Sequence, residues 1–155
     1  MSPARTIPIS CLLLATLLTT AVYCEVPYGT PFDLAVGAAV EVGDEGLVMG
    51  FTGILSDSRC PIGAVCVWEG DAEAALWIEV PGRPREDFVL HTSAMFTKSR
   101  DVGCAVIYLL SVRPHPTLDG PPIDPADYVV QLLVVCSGPI ETEPHTWGTT
   151  KAVFR

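Results

Sequence analysis

Asparagine is absent from the 155 residues, so N-linked glycosylation has no acceptor. Basic residues are scarce: 9 Lys+Arg stand against 18 Asp+Glu, a formal net charge of −9. No basic stripe exists to meet phosphates, which excludes a nucleic-acid binder. Catalytic signatures of the G-x-S-x-G and H-E-x-x-H kinds are missing, and so is the calcium-loop pattern D-x-[DN]-x-[DN]-G. There is no amphipathic helix, heptad or internal repeat. What the chain does have is apolar: 49 % of residues are hydrophobic and mean hydropathy is +0.40. That excludes intrinsic disorder, which needs low hydrophobicity at high charge. The length allows one domain.

The start of the chain reads as an address. Arg5 is its one charged side chain before Glu25, and Ile7 to Val22 is apolar apart from Pro8, Ser10 and a few threonines. That run is shorter than the roughly 20 residues a membrane span needs. Residues 1–24 are therefore expected to be a secretory signal, with cleavage after Ala21 or after Cys24. Lipidation of Cys24 is a third route. It fits poorly, because Ala21 stands where a Leu is expected and bulky Tyr23 precedes the Cys. Contact with a membrane is expected only through such an anchor. The protein is expected to be exported: secreted, periplasmic or attached to the cell envelope.

Four cysteines then remain, Cys60, Cys66, Cys104 and Cys136. An even number in an exported chain reads as disulfides. Cys60 and Cys66 enclose the short turn Pro-Ile-Gly-Ala-Val. Cys104 to Val112 and Tyr128 to Cys136 are two β-rich runs. Paired antiparallel with Cys104 opposite Cys136, they put Val106 on Val134, Tyr108 on Leu132, Leu110 on Val130 and Val112 on Tyr128. The expected bridges are Cys60–Cys66 and Cys104–Cys136. No metal is expected, since neighbouring histidines are lacking at the cysteines.

Further strands follow from pattern. Phe32 to Val42 is broken at Gly37, and Gly43 to Gly46 is a turn. Leu47 to Leu55 contains Gly50 and Gly53, which mark a bulge or a close backbone approach. Ala72 to Val80 alternates, with Ala72, Ala74, Leu76, Ile78 and Val80 on one face and Glu73, Trp77 and Glu79 on the other. Asp87 to His91 is a short strand, and Ser93 to Gly103 a polar connection with room for one helical turn. Arg113 to Asp127 carries five prolines and should be stiff and extended. Together these read as an all-β antiparallel sandwich of about seven strands over residues 25–136. Residues 137–155 read as a tail or a final edge strand.

Asp57-Ser58-Arg59-Cys60-Pro61, followed by Cys66-Val67-Trp68-Glu69-Gly70-Asp71-Ala72 and an alternating strand, resembles a motif of small exported bacterial proteins, many of them lipoprotein-like and uncharacterised. Glu69 stands where that motif has a small residue. The resemblance implies no activity and no catalytic residue. In physical terms Trp68 can cover the disulfide, Gly70 permits a bend into the next strand, and Asp57 can bond its own turn or pair with Arg59.

Chemistry-bearing groups are few. Asp57, Glu69 and Asp71 would suit a hard cation if they converged. His91 and Met95 would suit copper. Neither set has the spacing of a known site, so no catalytic residue, metal or cofactor is expected, and the protein is not expected to be an enzyme. The expected role is binding or scaffolding in the envelope or outside the cell, with the surface around Asp57, Arg59, Trp68, Glu69 and Asp71 as its working face. The alternative is a protease inhibitor that presents the loop from Arg59 to Val65, where preorganisation would lower the cost of binding.

Overall fold

The computed structural model describes residues 25–136; the expected signal segment and Cys24, and the expected tail 137–155, lie outside them. Nine strands run in chain order: β1 Glu25–Val26, β2 Phe32–Ala35, β3 Ala39–Val42, β4 Leu47–Asp57, β5 Ala72–Glu79, β6 Glu86–His91, β7 Ser99–Val102, β8 Ala105–Arg113 and β9 Val129–Cys136. A short 3₁₀ turn, Pro125–Asp127, precedes β9. The strands form two sheets, ordered β1-β3-β4-β5-β6 and β2-β9-β8-β7. Every pairing is antiparallel except β1 with β3.

Period-two alternation builds the core. Ala72, Ala74, Leu76 and Ile78 of β5 are buried, and so are Val42, Met49, Phe51 and Leu90 from the same sheet. The second sheet contributes Leu34, Ile107, Leu109, Val130, Leu132 and Val134 to the same cluster. The two inner faces meet as in any sandwich. The register of β4 on β5 shifts between Phe51 and Gly53 and again between Ile54 and Ser56. Gly50 lies opposite Trp77, whose ring occupies the space a side chain would need: a Cβ there would stand 2.2 Å from it. Arg85 stacks over that ring, 4.3 Å from its centroid.

The expected register of the last two long strands is off by one residue. Cys136 pairs with Ala105, and Ile107 and Leu109 lie opposite Val134 and Leu132. A shift between Leu109 and Ser111 then brings Val112 onto Val130. Ala105, Ile107, Leu109 and Val112 therefore face the core, while Tyr108 and Leu110 face outward. β8 is apolar on both faces, so pattern alone did not decide its parity. The polar connection Ser93 to Gly103 holds an edge strand, β7, instead of a helical turn. It turns into β8 through Gly103-Cys104.

Candidate functional site

Most of the residues singled out from the sequence gather where β4 ends and β5 begins. Ser58 N–H donates to the Asp71 carbonyl at 2.7 Å, and Cys60 N–H to the Glu69 carbonyl at 2.9 Å. The chain on either side of the disulfide loop is thus tied together as a short ladder. Gly70 sits inside it at φ +75°, where an added Cβ would fall 2.0 Å from the Ser58 carbonyl oxygen. Only glycine meets both conditions. Cys60 and Cys66 are bonded, as expected, with their Cα atoms 5.9 Å apart.

Asp57 and Arg59 brace the loop from below. The guanidinium donates through Nε to Oδ1 at 2.8 Å and through Nη2 to Oδ2 at 2.6 Å. Asp57 also accepts from the Arg59 N–H and from the Tyr128 hydroxyl. Arg59 further donates to the carbonyls of Val112 at 2.6 Å and Pro114 at 2.8 Å. One side chain, 7 % exposed, therefore joins the end of β4 in one sheet to the end of β8 in the other. Burial works to raise the Asp57 pKa, but the hydrogen bonds from Arg59 and Tyr128 outweigh it and hold the carboxyl below its ordinary value. Tyr128 moves the other way, raised by burial and by the Asp57 carboxylate it bonds.

Asp71 and Glu69 serve a different neighbour. Asp71 Oδ1 accepts from the Ser93 N–H at 2.8 Å and the Thr92 hydroxyl at 3.1 Å, while Oδ2 lies 2.6 Å from His91 Nδ1. The Ser93 hydroxyl donates to Glu69 at 2.8 Å. These bonds fasten the turn after β6 to the start of β5. Burial again works to raise Asp71, and the Ser93, His91 and Thr92 bonds together lower it. Asp57 is therefore turned toward Arg59, and Asp71 and Glu69 toward residues 91–93. The sequence-based cation set of Asp57, Glu69 and Asp71 is dispersed among these partners. His91 packs its ring on Phe96, 5.0 Å between centroids, while Met95 is exposed. Among the described residues, the set of three donors that does come together is Asp71, Glu73 and His91. Sequence reasoning missed it because Glu73 meets His91 only through strand pairing.

Above this brace lies an apolar surface. Ile62 exchanges backbone hydrogen bonds with the proline-rich connection, donating to the Pro116 carbonyl and accepting from Leu118 N–H. Ile62 and Leu118 remain more than half exposed, while Val65 and Val67 are fully exposed at 102 % and 106 %. Trp68, expected to cover the disulfide, is 51 % exposed. The loop proposed for inhibition also changes shape. Arg59 is buried, Ile62 has both backbone groups engaged, and Ala64 N–H donates to the Pro61 carbonyl, so the loop is tied down and Val65 is its fully exposed apolar side chain.

A disulfide is compatible with an exported protein, and no helix among the described residues is long and apolar enough to cross a membrane. Among protein-family models, curated proteins and solved structures, none matches the chain.

Proposed function

We propose that the chain is an exported, noncatalytic β-sandwich domain that docks a protein partner through the loop closed by Cys60 and Cys66. One observation carries this reading: Ile62, Val65, Val67 and Trp68 stand exposed on a segment held by a disulfide, a backbone ladder and a buried ion pair, with exposed Leu118 bonded to Ile62 through the backbone. Isolated surface valines need no explanation, but a braced apolar cluster marks an interaction site. The bracing matters because a loop ordered before binding loses less entropy on docking. Burying one valine side chain is worth about 1.5 kcal/mol or more, so each of these groups adds to the binding free energy if a partner covers it.

The support for a noncatalytic role is that the strongly engaged polar groups hold the fold. Asp57, Arg59 and Tyr128 bond one another and two backbone carbonyls, and Asp71 bonds the turn at residues 91–93. The resemblance to small exported bacterial proteins points to the envelope or its surroundings. Lipid attachment at Cys24 would place the domain on the membrane surface; cleavage would release it.

The test is affinity capture from the exported fraction of the native host, with the wild-type chain beside Val65→Asp/Val67→Asp. The expected result is a protein retained at near-equal amount by the wild type and lost with the double variant. Equal retention by both would overturn the loop as the docking surface. Inhibition of a secreted protease by the wild type, abolished in the variant, would replace this reading with the inhibitor.

A further inference from the structure

A second pair of sulfurs lies at the opposite end of the chain's sheet register. Gly103 and Cys104 form the two-residue turn between β7 and β8, in which Val102 pairs with Ala105. Gly103 takes φ +62°, as the first central residue of a II′ hairpin turn does. Ala105 in turn pairs with Cys136, the last residue of β9. Cys104 therefore stands diagonally across from Cys136, within the reach of a disulfide between adjacent strands. The bridge expected between them is not formed: both are free thiols, Cys104 exposed and Cys136 half-buried. A cavity of about 110 Å³ opens beside them, lined by Tyr28, Glu45, Arg83 and Cys104 among others. The Tyr28 hydroxyl is buried there and has no hydrogen-bond partner among the described residues.

We propose that Cys104 and Cys136 are a reversible thiol–disulfide site that clamps the β7–β8 hairpin to the end of β9. This inference is independent of the docking loop. Backbone bonds from Ser58 to Asp71 and from Cys60 to Glu69 hold the two ends of the Cys60–Cys66 loop together, whereas Cys104 is at an exposed turn tip. The oxidant is a disulfide, either a low-molecular-weight one or the active-site disulfide of an oxidoreductase. Cys104 loses its proton and attacks one sulfur of that disulfide. A mixed disulfide forms and one thiol leaves. Cys136 then attacks the Cys104 sulfur and expels the second thiol. Two protein thiols are oxidised, one disulfide is reduced, and the two protons end on the released thiols. The order follows from exposure. Cys136 is half-buried, so Cys104 is the sulfur an incoming disulfide meets first.

The test equilibrates the full chain with reduced and oxidised glutathione, quenches with acid, alkylates with N-ethylmaleimide and maps peptides by mass. The expected result is a linked Cys104–Cys136 peptide pair in oxidising buffer. It should open at a poise where Cys60–Cys66 stays closed. Cys136→Ser should accumulate glutathione on Cys104, because the resolving thiol is gone. The oxidised chain should melt roughly 10 °C higher than the chain with this pair reduced, since the bond closes a long loop. Alkylation of both cysteines in oxidising buffer, with the fold intact by melting, would overturn the proposal. Pairing of either with Cys11, Cys24 or a loop cysteine would overturn it equally. Neither outcome bears on capture by the Val65 and Val67 surface, so failure here and failure of the docking reading are separable.

Discussion

Replacing Arg59 by Met tests the brace under the loop. The methionine keeps much of the apolar stem and removes every side-chain donor; the backbone N–H to Asp57 stays. Asp57 then stays buried, with the Tyr128 hydroxyl as its remaining side-chain partner, and the carbonyls of Val112 and Pro114 lose the Arg59 donors. Removing one member of a buried pair costs about 3–5 kcal/mol, because the other charge is left uncompensated. Each abandoned carbonyl adds on the order of 1 kcal/mol unless water reaches it. The uncompensated charge is the larger contribution, and this makes the reasoning refutable. Adding Asp57→Ala to Arg59→Met removes that charge, so the double variant should be more stable than Arg59→Met alone. Urea denaturation of the wild type, both single variants and the double variant closes the cycle. If Arg59→Met unfolds the domain outright, the cycle can be run on Asp57→Asn and Tyr128→Phe, whose hydrogen bond is worth about 1 kcal/mol or more. A loss under 1 kcal/mol for Arg59→Met, or a double variant less stable than Arg59→Met alone, would refute the account.

Three further outcomes follow from the same geometry. Gly70→Ala should cost about 3 kcal/mol or more, since its Cβ would strike the Ser58 carbonyl at 2.0 Å and φ is +75°; a change within 0.5 kcal/mol in thermal or urea unfolding would contradict it. Asp57 and Asp71 both titrate below their ordinary range when folded. The unfolded chain therefore takes up their protons first as pH falls through about 4, and stability should drop from there downward. Urea midpoints between pH 5 and 2 should show this slope, and Asp71→Asn should flatten part of it; an unchanged slope would refute the assignment. Val65→Asp/Val67→Asp should leave the melting temperature within about 2 °C, because fully exposed side chains have few contacts to lose. A larger drop would mean that these valines pack against something.

How much of this was legible in the sequence depended on whether the governing contact was local. The alternation from Ala72 to Ile78 announced a half-buried strand, and Gly50 and Gly53 announced irregularity in β4; both are present. The Cys60–Cys66 bond spans a short turn and was readable from spacing. The register of β8 on β9 was not readable. Both faces of β8 are apolar, and the shift after Leu109 changes the pairing midway. Edge strand β7 is polar, and the usable signal for it was the two-residue Gly103-Cys104 turn. Arg59 looked like a solvent-facing turn residue. Its burial depends on carbonyls at Val112 and Pro114, supplied by a strand far along the chain. Trp68, expected to cover the disulfide, is half exposed, and Trp77 in mid-strand covers Gly50, a contact set by strand pairing.

The docking claim is tested most directly in living cells of the native host. A photo-activated benzophenone side chain is placed at Val67, and for comparison at Glu79, exposed at the end of β5 and away from the loop. The account predicts a discrete protein adduct from position 67 and none from position 79. Failure of position 67 to capture any protein, or the same adducts from both positions, would contradict it.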